Sequence, residues 1–216
     1  MLDKQEKLAQ GRRTEVASTE EYFSALSQLI PRLPYAAIDN IVGLLLRAFA
    51  DDRTVFVFGN GGSAASASHM MVDMNKGTAE GAAKRIRAMA LTDNVPLLTA
   101  WANDSGYEQV FAEQLKSFVR EGDVAFAIST SGNSANVLLA LQTALDRGAS
   151  TVGLTGFEGG KMKALCGACA VVPSDNVQMI EDMHHAILHS IFTLVRKRLH
   201  STAPLATAAS AGSTRK

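Results

Sequence analysis

The sequence lacks the features that mark secreted, membrane-spanning and nucleic-acid-binding proteins. Its 21 basic residues (Lys and Arg) equal its 21 acidic residues, and this balance disfavours a nucleic acid or an anionic membrane as the main partner. No segment approaches the ~18 consecutive apolar residues of a transmembrane helix. The charged opening stretch, MLDKQEKLAQGRRTE, has no apolar core of the kind found in secretory signals. We therefore expect a cytoplasmic protein without membrane or nucleic-acid partners.

Cysteine is also scarce. The two cysteines, Cys166 and Cys169, form a single Cys-x-x-Cys motif, which occurs in redox sites and in half of a zinc site. Because no second cysteine pair exists, we predict instead that they are two small buried residues near a strand.

Apolar residues are plentiful enough for a sizeable core. Hydrophobic residues make up 47% of the 216 residues and charged residues 19%, which fits one folded α/β domain. We expect a polar N-terminal arm over residues 1–17, a single domain over 18–200 and a disordered Ala/Ser/Thr-rich tail over 201–216. Ser18 and Glu21 predict a capping box at the start of an N-terminal helical pair, whose first helix ends at the prolines of 31–34.

Short apolar runs then alternate with helical patterns. We predict strands at 54–59, 85–92, 123–130, 150–156 and 168–174, with helices at 64–76, 107–118, 134–147, 159–166 and 177–200. This alternation predicts an α/β fold, in which five parallel strands are covered by helices on both faces as a three-layer αβα sandwich. A long C-terminal helix completes the domain.

Two of the strands end in loops suited to an anion. Gly59–Ser63 (GNGGS) follows the first strand, and Ser129–Ser134 (STSGNS) follows the third. Glycines allow a close backbone approach, hydroxyls donate hydrogen bonds, and the helix N-terminus behind each loop favours negative charge. Neither loop has the Walker spacing or G-x-G-x-x-G, which disfavours nucleotide binding. The alternative is a pair of ordinary strand-to-helix turns.

Histidines and carboxylates cluster in two helical segments. His69 and Asp73 are four residues apart, and Glu181, His185 and His189 form an i, i+4, i+8 row on the last helix. Imidazole and carboxylate groups from two helices would suit zinc or a similar divalent ion. The alternative is a set of surface or interface histidines.

Four stretches resemble the sugar isomerase (SIS) domain family, and the resemblance spans about residues 20–199. They are FGNGGSAASASH, LTAWANDSGYEQVFAEQL, GDVAFAISTSGNSANVL and TVGLTGFEGGKM. ISTSGNS is typical of the domain, while GNGGS-x5-H and AND-x-G are similar to its heptose isomerase branch. The resemblance implies a five-stranded parallel sheet, a homotetramer with active sites between subunits, and one zinc ion per site.

The resemblance also implies roles for particular residues. The phosphosugar would be held by three groups of side chains and loop atoms: Asn60, Gly61, Gly62 and Ser63; Asn103 and Asp104; and Ser129, Thr130, Ser131 and Ser134, the last group binding the phosphate. His69 and His189 match zinc-binding histidines of the family.

Two positions depart from the family pattern. Asp73 stands where the family has a glutamate that serves as metal ligand and base, and Glu181 stands where it has a glutamine ligand. We expect all four of His69, Asp73, Glu181 and His189 to bind metal, with Asp73 as the base and His189 as the acid; a swap that makes Glu181 the base stays open. Neither His184 nor His185 is predicted to be a ligand.

The implied activity is aldose–ketose isomerisation of a phosphorylated sugar. The expected reaction converts sedoheptulose 7-phosphate to glycero-manno-heptose 7-phosphate by metal-assisted proton transfer through an enediol. Two alternatives remain: a non-catalytic SIS protein that binds a phosphosugar or a protein partner, and an isomerase of a different phosphosugar.

Overall fold

The computed structural model describes residues 16–79 and 84–202. Residues 1–15 of the predicted arm and 203–216 of the predicted tail lie outside the described residues. The last helix extends to Thr202, two residues beyond its predicted end.

The N-terminal helical pair forms as predicted. Helix α1 spans Thr19–Leu29 and begins at a capping box, in which the Ser18 hydroxyl accepts the Glu21 N–H (3.1 Å) and the Glu21 carboxylate accepts the Ala17 N–H (2.8 Å). A 3₁₀ turn at Ile30–Arg32 leads to helix α2, Tyr35–Ala50.

Five parallel strands form one sheet, as predicted. They are β1 Thr54–Gly59, β2 Arg87–Ala90, β3 Val124–Ile128, β4 Ser150–Thr155 and β5 Ala168–Val171. Their order is β2-β1-β3-β4-β5. The chain therefore changes direction across the sheet at β1, and the crevice between the carboxyl ends of β1 and β3 is where ligands collect in such sheets.

The remaining helices differ from the prediction in four places. They are α3 Gly62–Val72, α4 Val95–Ser105, α5 Ala112–Phe118, α6 Ala135–Asp146, α7 Met162–Leu165 and α8 Val177–Thr202. Helix α4 was not predicted, the helix predicted at 107–118 is a 3₁₀ turn (Tyr107–Gln109) followed by α5, and α7 is shorter than expected. The helix predicted at 64–76 is α3 followed by a π-helix, Asp73–Gly77.

The alternation of side chains along the strands divides the core between the two faces of the sheet. Val55 and Val57 of β1 pack with helices α1, α2, α3 and α8, whereas Phe56 and Phe58 pack with α5, α6 and α7. Both faces of the sheet are buried under helices, and the central strands β1 and β3 therefore carry apolar side chains on both sides. The three-layer αβα sandwich is thus confirmed.

Within the ranges that the structure describes, no individual helix has both the length and the apolarity needed to cross a membrane. The bent pair Thr19–Arg32 and Tyr35–Ala50 meets that test only when its two helices are taken together, across a 70° bend.

Candidate functional site

The two glycine-containing loops meet at the carboxyl edge of the sheet. Gly59 is paired with Ile128 in the β1–β3 register. A Cβ at Gly59 would stand 2.6 Å from the Ile128 carbonyl oxygen, so the two strands can approach this closely only if residue 59 is glycine. This contact sets the loop after β1 directly beside the loop after β3.

A reciprocal amide pair joins the loop after β1 to the first turn of α6. The Asn60 and Asn136 side chains each donate to the other's carbonyl oxygen at 2.8 Å, and the Tyr107 hydroxyl donates to the Asn60 oxygen at 3.1 Å. The Asn136 oxygen also accepts the Val137 N–H at 2.9 Å. Sequence analysis missed Asn136 and Tyr107, although a buried asparagine in the first turn of a helix is itself a sign of a structural hydrogen bond.

Two hydroxyls of the loop after β3, those of Ser129 and Ser134, lie close together. The Ser129 and Ser134 oxygens lie 3.4 Å apart, and Ser134 stands at the N-terminus of α6 without a side-chain bond to the helix. Gly132 has φ +63°, and a Cβ there would stand 2.2 Å from the Gly159 carbonyl oxygen. A backbone hydrogen bond anchors the loop to the start of α7, since the Met162 N–H donates to the Gly132 carbonyl oxygen at 2.9 Å.

These loops enclose a pocket of about 180 Å³. It is lined by Asn60, Ser63, Ile128, Ser129, Thr130, Ser131, Ser134 and Glu181. Among these described residues Glu181 is the one charged side chain, so an anion here would be held by hydroxyls, amides and a helix N-terminus. The structure thus brings together six of the predicted substrate-binding side chains, and Gly61 and Gly62 belong to the same turn.

Helices α3 and α8 run parallel and contact each other through a row of residues that runs from Gly62 and Glu181 to His69 and His189. This row is called the α3–α8 ladder below. A Cβ at Gly62 would stand 3.3 Å from both Glu181 carboxylate oxygens, and the Ser66 hydroxyl lies 3.2 Å from His185 Nε2. Toward the C-terminal ends of this contact, the His69 side chain contacts the His189 side chain through their Nε2 atoms. The predicted row of Glu181, His185 and His189 therefore lies along the side of α8 that faces α3.

Three of the predicted metal ligands converge at the far end of this ladder. His69 Nε2 lies 3.1 Å from His189 Nε2, and Asp73 Oδ2 lies 3.6 and 3.9 Å from these two nitrogens. All three donor atoms lie within 4.8 Å of one another. Two nitrogens bound to one tetrahedral zinc ion stand roughly 3.3 Å apart, so this donor set fits zinc with a position left open.

The backbone that carries Asp73 is not a regular α-helix. It is the first residue of the π-helix Asp73–Gly77, and sequence periodicity gave no sign of this segment. The wider turn is held in place by Asn75, whose amide donates to the Ala88 carbonyl (2.9 Å) and accepts the Ala88 N–H (3.1 Å). Single π-helical turns occur frequently at functional sites.

Three predicted site residues lie elsewhere. Glu181 is not a member of the three-residue group and lines the hydroxyl pocket instead. Asn103 and Asp104 are exposed near the end of α4, where the Asn103 amide donates to the Asp104 carboxylate at 2.8 Å, and neither lines the pocket.

The other two histidines of α8 have different surroundings. His184 is buried (1% exposed) on the side of the helix that packs against the sheet, and burial lowers its pKa to about 4. It is therefore neutral at physiological pH. His185 contacts the Ser66 hydroxyl, and its ring centroid lies 5.9 Å from that of His69. Neither belongs to the metal-binding group among the described residues.

Comparison with known proteins identifies the relatives of this chain. The sequence profile of the SIS domain matches residues 21–156. The chain is 42% identical to a phosphoheptose isomerase of Rhodospirillum rubrum over 169 residues, which cover 76% of this chain and 87% of the relative.

Solved structures agree with this relationship. The structure of phosphoheptose isomerase from Neisseria gonorrhoeae superposes with a TM-score of 0.75 at 30% identity, covering 83% of this chain and all of that one. The phosphoheptose isomerase from Francisella tularensis gives the same TM-score at 29% identity, covering 84% of this chain and all of that one. The chain therefore belongs to the SIS domain family and, within it, to the phosphoheptose isomerases, which are isomerising enzymes.

Proposed function

We propose that this chain interconverts an aldose and a ketose phosphate, with sedoheptulose 7-phosphate and glycero-manno-heptose 7-phosphate as the pair. The observation that carries the proposal is the convergence of His69, Asp73 and His189 at one end of a ladder whose other end is a hydroxyl-lined pocket. The names of the relatives support the choice of substrate.

The length of the ladder suits a long, open-chain sugar. Glu181, at the pocket, and His189 are eight residues apart on one helix, which corresponds to about 12 Å along its axis. A phosphate held by Ser129, Thr130, Ser131 and Ser134 would leave the opposite end of a seven-carbon chain near the histidines. The carbons that exchange hydrogen, C1 and C2, are at that opposite end.

Asp73 would move the proton between these carbons. Its side chain is 20% exposed, less than half the exposure of His69 or His189, and its Oδ2 atom lies 3.6 and 3.9 Å from the Nε2 atoms of these histidines. A carboxylate can take a proton from one carbon and return it to the next. His189 would act as the acid toward the sugar oxygens. Glu181, the alternative base, lies at the pocket end of the ladder, so it could act on C1 and C2 only if the sugar bound in the opposite direction.

His69, Asp73 and His189 would also hold a divalent metal ion. Zinc bound there would polarise the carbonyl and hydroxyl oxygens of the sugar. The 3.1 Å separation of the histidine nitrogens is close to the spacing of two ligands on one such ion.

A homotetramer would explain the position of Asn103 and Asp104. Neither side chain lines the pocket of its own chain, and in such an assembly they could contact a sugar bound by a neighbouring subunit. Exposed apolar side chains, among them Phe23 (66% exposed) and Ile30 (50%), would be covered in such an assembly.

The decisive experiment measures turnover and metal content on the same sample. Sedoheptulose 7-phosphate conversion is assayed as purified, after chelation, and after zinc is added back. We expect loss and recovery of activity. The variants His69→Asn and His189→Asn should fail to recover, whereas His200→Asn, an exposed histidine on the same helix, should behave as the parent. Metal binding without turnover would indicate a different phosphosugar, and absence of both would favour a non-catalytic binding protein.

A further inference from the structure

The two cysteines lie together beside a strand and away from the candidate site. Cys166 follows α7, and Cys169 lies on β5, where it pairs in register with Gly153. Both are half-buried, so the prediction of two buried cysteines holds for their place near a strand but is wrong about burial.

Both sulfur atoms occupy the space above one glycine. A Cβ at Gly153 would stand 2.8 Å from Cys166 Sγ and 3.2 Å from Cys169 Sγ. The two sulfurs cannot be further apart than the sum of those distances. Any larger residue at 153 would displace at least one of them, so the glycine creates the room in which the thiols meet.

The two thiols differ in acidity. The neighbouring Cys166 thiol lowers the pKa of Cys169, and the Lys163 ammonium adds to this effect against the opposing effect of burial. The pKa of Cys166 is raised by Cys169 and by burial. Cys169 is therefore the sulfur that more readily forms a thiolate, while Cys166 keeps its proton, a division typical of reactive Cys-x-x-Cys pairs.

Solvent reaches Cys166 through a cleft, and Cys169 is itself half-exposed. Cys166 lines a cleft of about 530 Å³ together with residues of α2 and α6, among them Arg47 and Leu145, and with the exposed Gly167. This space is ample for a small oxidant or reductant.

We propose that Cys166 and Cys169 form a reversible intrachain disulfide on reaction with hydrogen peroxide. The Cys169 thiolate attacks one peroxide oxygen, the O–O bond breaks, and the departing oxygen leaves as water after protonation, which gives a sulfenic acid at Cys169. The Cys166 sulfur then attacks the Cys169 sulfur, the S–S bond forms, and the Cys166 proton leaves with the hydroxyl group as a second water. Two thiols are oxidised, one hydrogen peroxide is reduced to two waters, and a dithiol reductant reverses the change.

Peptide masses after oxidation of the full chain test this directly. The protein is treated with hydrogen peroxide, alkylated and cleaved with trypsin, which releases Ala164–Arg196 with both cysteines on one peptide. We expect this peptide to lose two hydrogens in mass, to resist alkylation, and to regain both thiols with dithiothreitol. Two free thiols under conditions that oxidise free glutathione would overturn the proposal, as would products that are only sulfinic acids or disulfides between chains.

Single substitutions test the division of roles. At neutral pH we expect the parent Cys169 to react with iodoacetamide about tenfold faster than Cys166. Cys166→Ser should stop peroxide oxidation at a sulfenic acid that dimedone traps, and Cys169→Ser should slow oxidation about tenfold. Equal alkylation rates, or a sulfenic acid that forms as fast in Cys169→Ser, would contradict the assignment.

A lysine pair supplies a matched control. Lys163→Gln should slow alkylation of Cys169 roughly two- to threefold by removing the nearby positive charge. Lys161→Gln, an exposed lysine two residues earlier, should leave the rate unchanged. If both variants behave alike, Lys163 has no specific part in activating the thiol.

Discussion

The two ends of the α3–α8 ladder are built in different ways. The end proposed to bind the phosphate, called the phosphate end below, comprises the hydroxyl pocket and the Asn60–Asn136 pair. It is tied into the fold, since Ser63, Ser129 and Asn136 are 5%, 5% and 3% exposed. The end proposed to hold the metal ion, called the metal end below, consists of His69, Asp73 and His189, and the two histidines are about half exposed. Hydrogen bonds to loops and strands hold the first, whereas the side chains of the second chiefly contact one another.

This difference separates binding from chemistry. A pocket held by backbone turns and paired amides is ready for a phosphate before the ligand arrives. Three side chains that converge from two helices need a shared ion to fix their geometry. We therefore expect substitutions at the phosphate end to alter folding or KM, and substitutions at the metal end to alter kcat and metal content.

The largest effect is expected at the metal end, from Asp73→Asn. The amide has nearly the same shape but cannot accept the proton from carbon, so kcat should fall about 10³-fold. The measurement is kcat with sedoheptulose 7-phosphate, alongside zinc content by mass spectrometry. Full turnover with metal still bound would transfer the role of base to Glu181.

At the phosphate end, Gly132→Ala should destabilise the fold by about 3 kcal/mol, since it combines a positive φ with a backbone clash. The new Cβ would stand 2.2 Å from the Gly159 carbonyl oxygen. Gly61→Ala is the matched control, because its φ is +55° but nothing lies within 4 Å of the added carbon; its cost should be about 1 kcal/mol. Chemical denaturation measures both. Equal losses would show that the clash is relieved.

His184 provides a reference that belongs to neither end. Its pKa is lowered from 6.5 to about 4, so below pH 6.5 the unfolded chain binds a proton that the folded chain does not. The free energy of unfolding should therefore fall by about 3 kcal/mol between pH 7 and pH 4 on account of this residue. Denaturation of the parent and of His184→Leu across this range measures the effect. The variant should have the shallower slope, and parallel curves would rule out a titrating His184.

The amide pair at the phosphate end should show an intermediate effect. Asn136→Ala leaves the Asn60 side chain and the Val137 N–H without their partner, which should raise KM about tenfold at nearly unchanged kcat. Tyr107→Phe removes only one hydrogen bond to Asn60, and its KM should rise less. A loss confined to kcat in Asn136→Ala would mean that the pair acts on the chemistry and that the two ends are not separable.

The smallest effect is expected from Glu181→Gln. Removing a negative charge beside the phosphate should lower KM two- to threefold at low ionic strength, and the gain should shrink in added salt. Steady-state kinetics at two salt concentrations measures it. A collapse of kcat instead would identify Glu181 as the base and would place a catalytic group at the phosphate end.

Much of the architecture followed from local patterns. The apolar runs that became β1, β3 and β4 are strands buried throughout, apart from the first residues of β1 and β4. The capping box of Ser18 and Glu21 marked the start of α1. Helix α4 escaped prediction because Val95–Ser105 contains Pro96 and no fully buried residue, so its apolar pattern is weak; Asn94 caps it by accepting the Leu97 N–H.

The site was predictable where spacing along one helix determined it. His69 with Asp73, and Glu181 with His189, share helix faces by periodicity alone. Whether Glu181 lies at the pocket or beside the histidines depends on how α3 and α8 align. The pairing of Asn60 with Asn136 depends on the order of the strands in the sheet. The π-helix depends on the Asn75 contact with β2, which lies 13 residues away in the chain. None of these three features can be predicted from a short stretch of sequence, because each depends on residues that are distant in the chain.

The Asn75 contact has a consequence for self-association. Strand β2 is an edge of the sheet, and an open edge can pair with another chain. The Asn75 amide supplies both a donor and an acceptor to Ala88, as a neighbouring strand would. The segment that carries Asp73 to the metal end therefore also covers part of this edge. Straightening it into an ordinary α-helix would displace the Asp73 carboxylate, the base proposed above, and at the same time open a surface for aggregation.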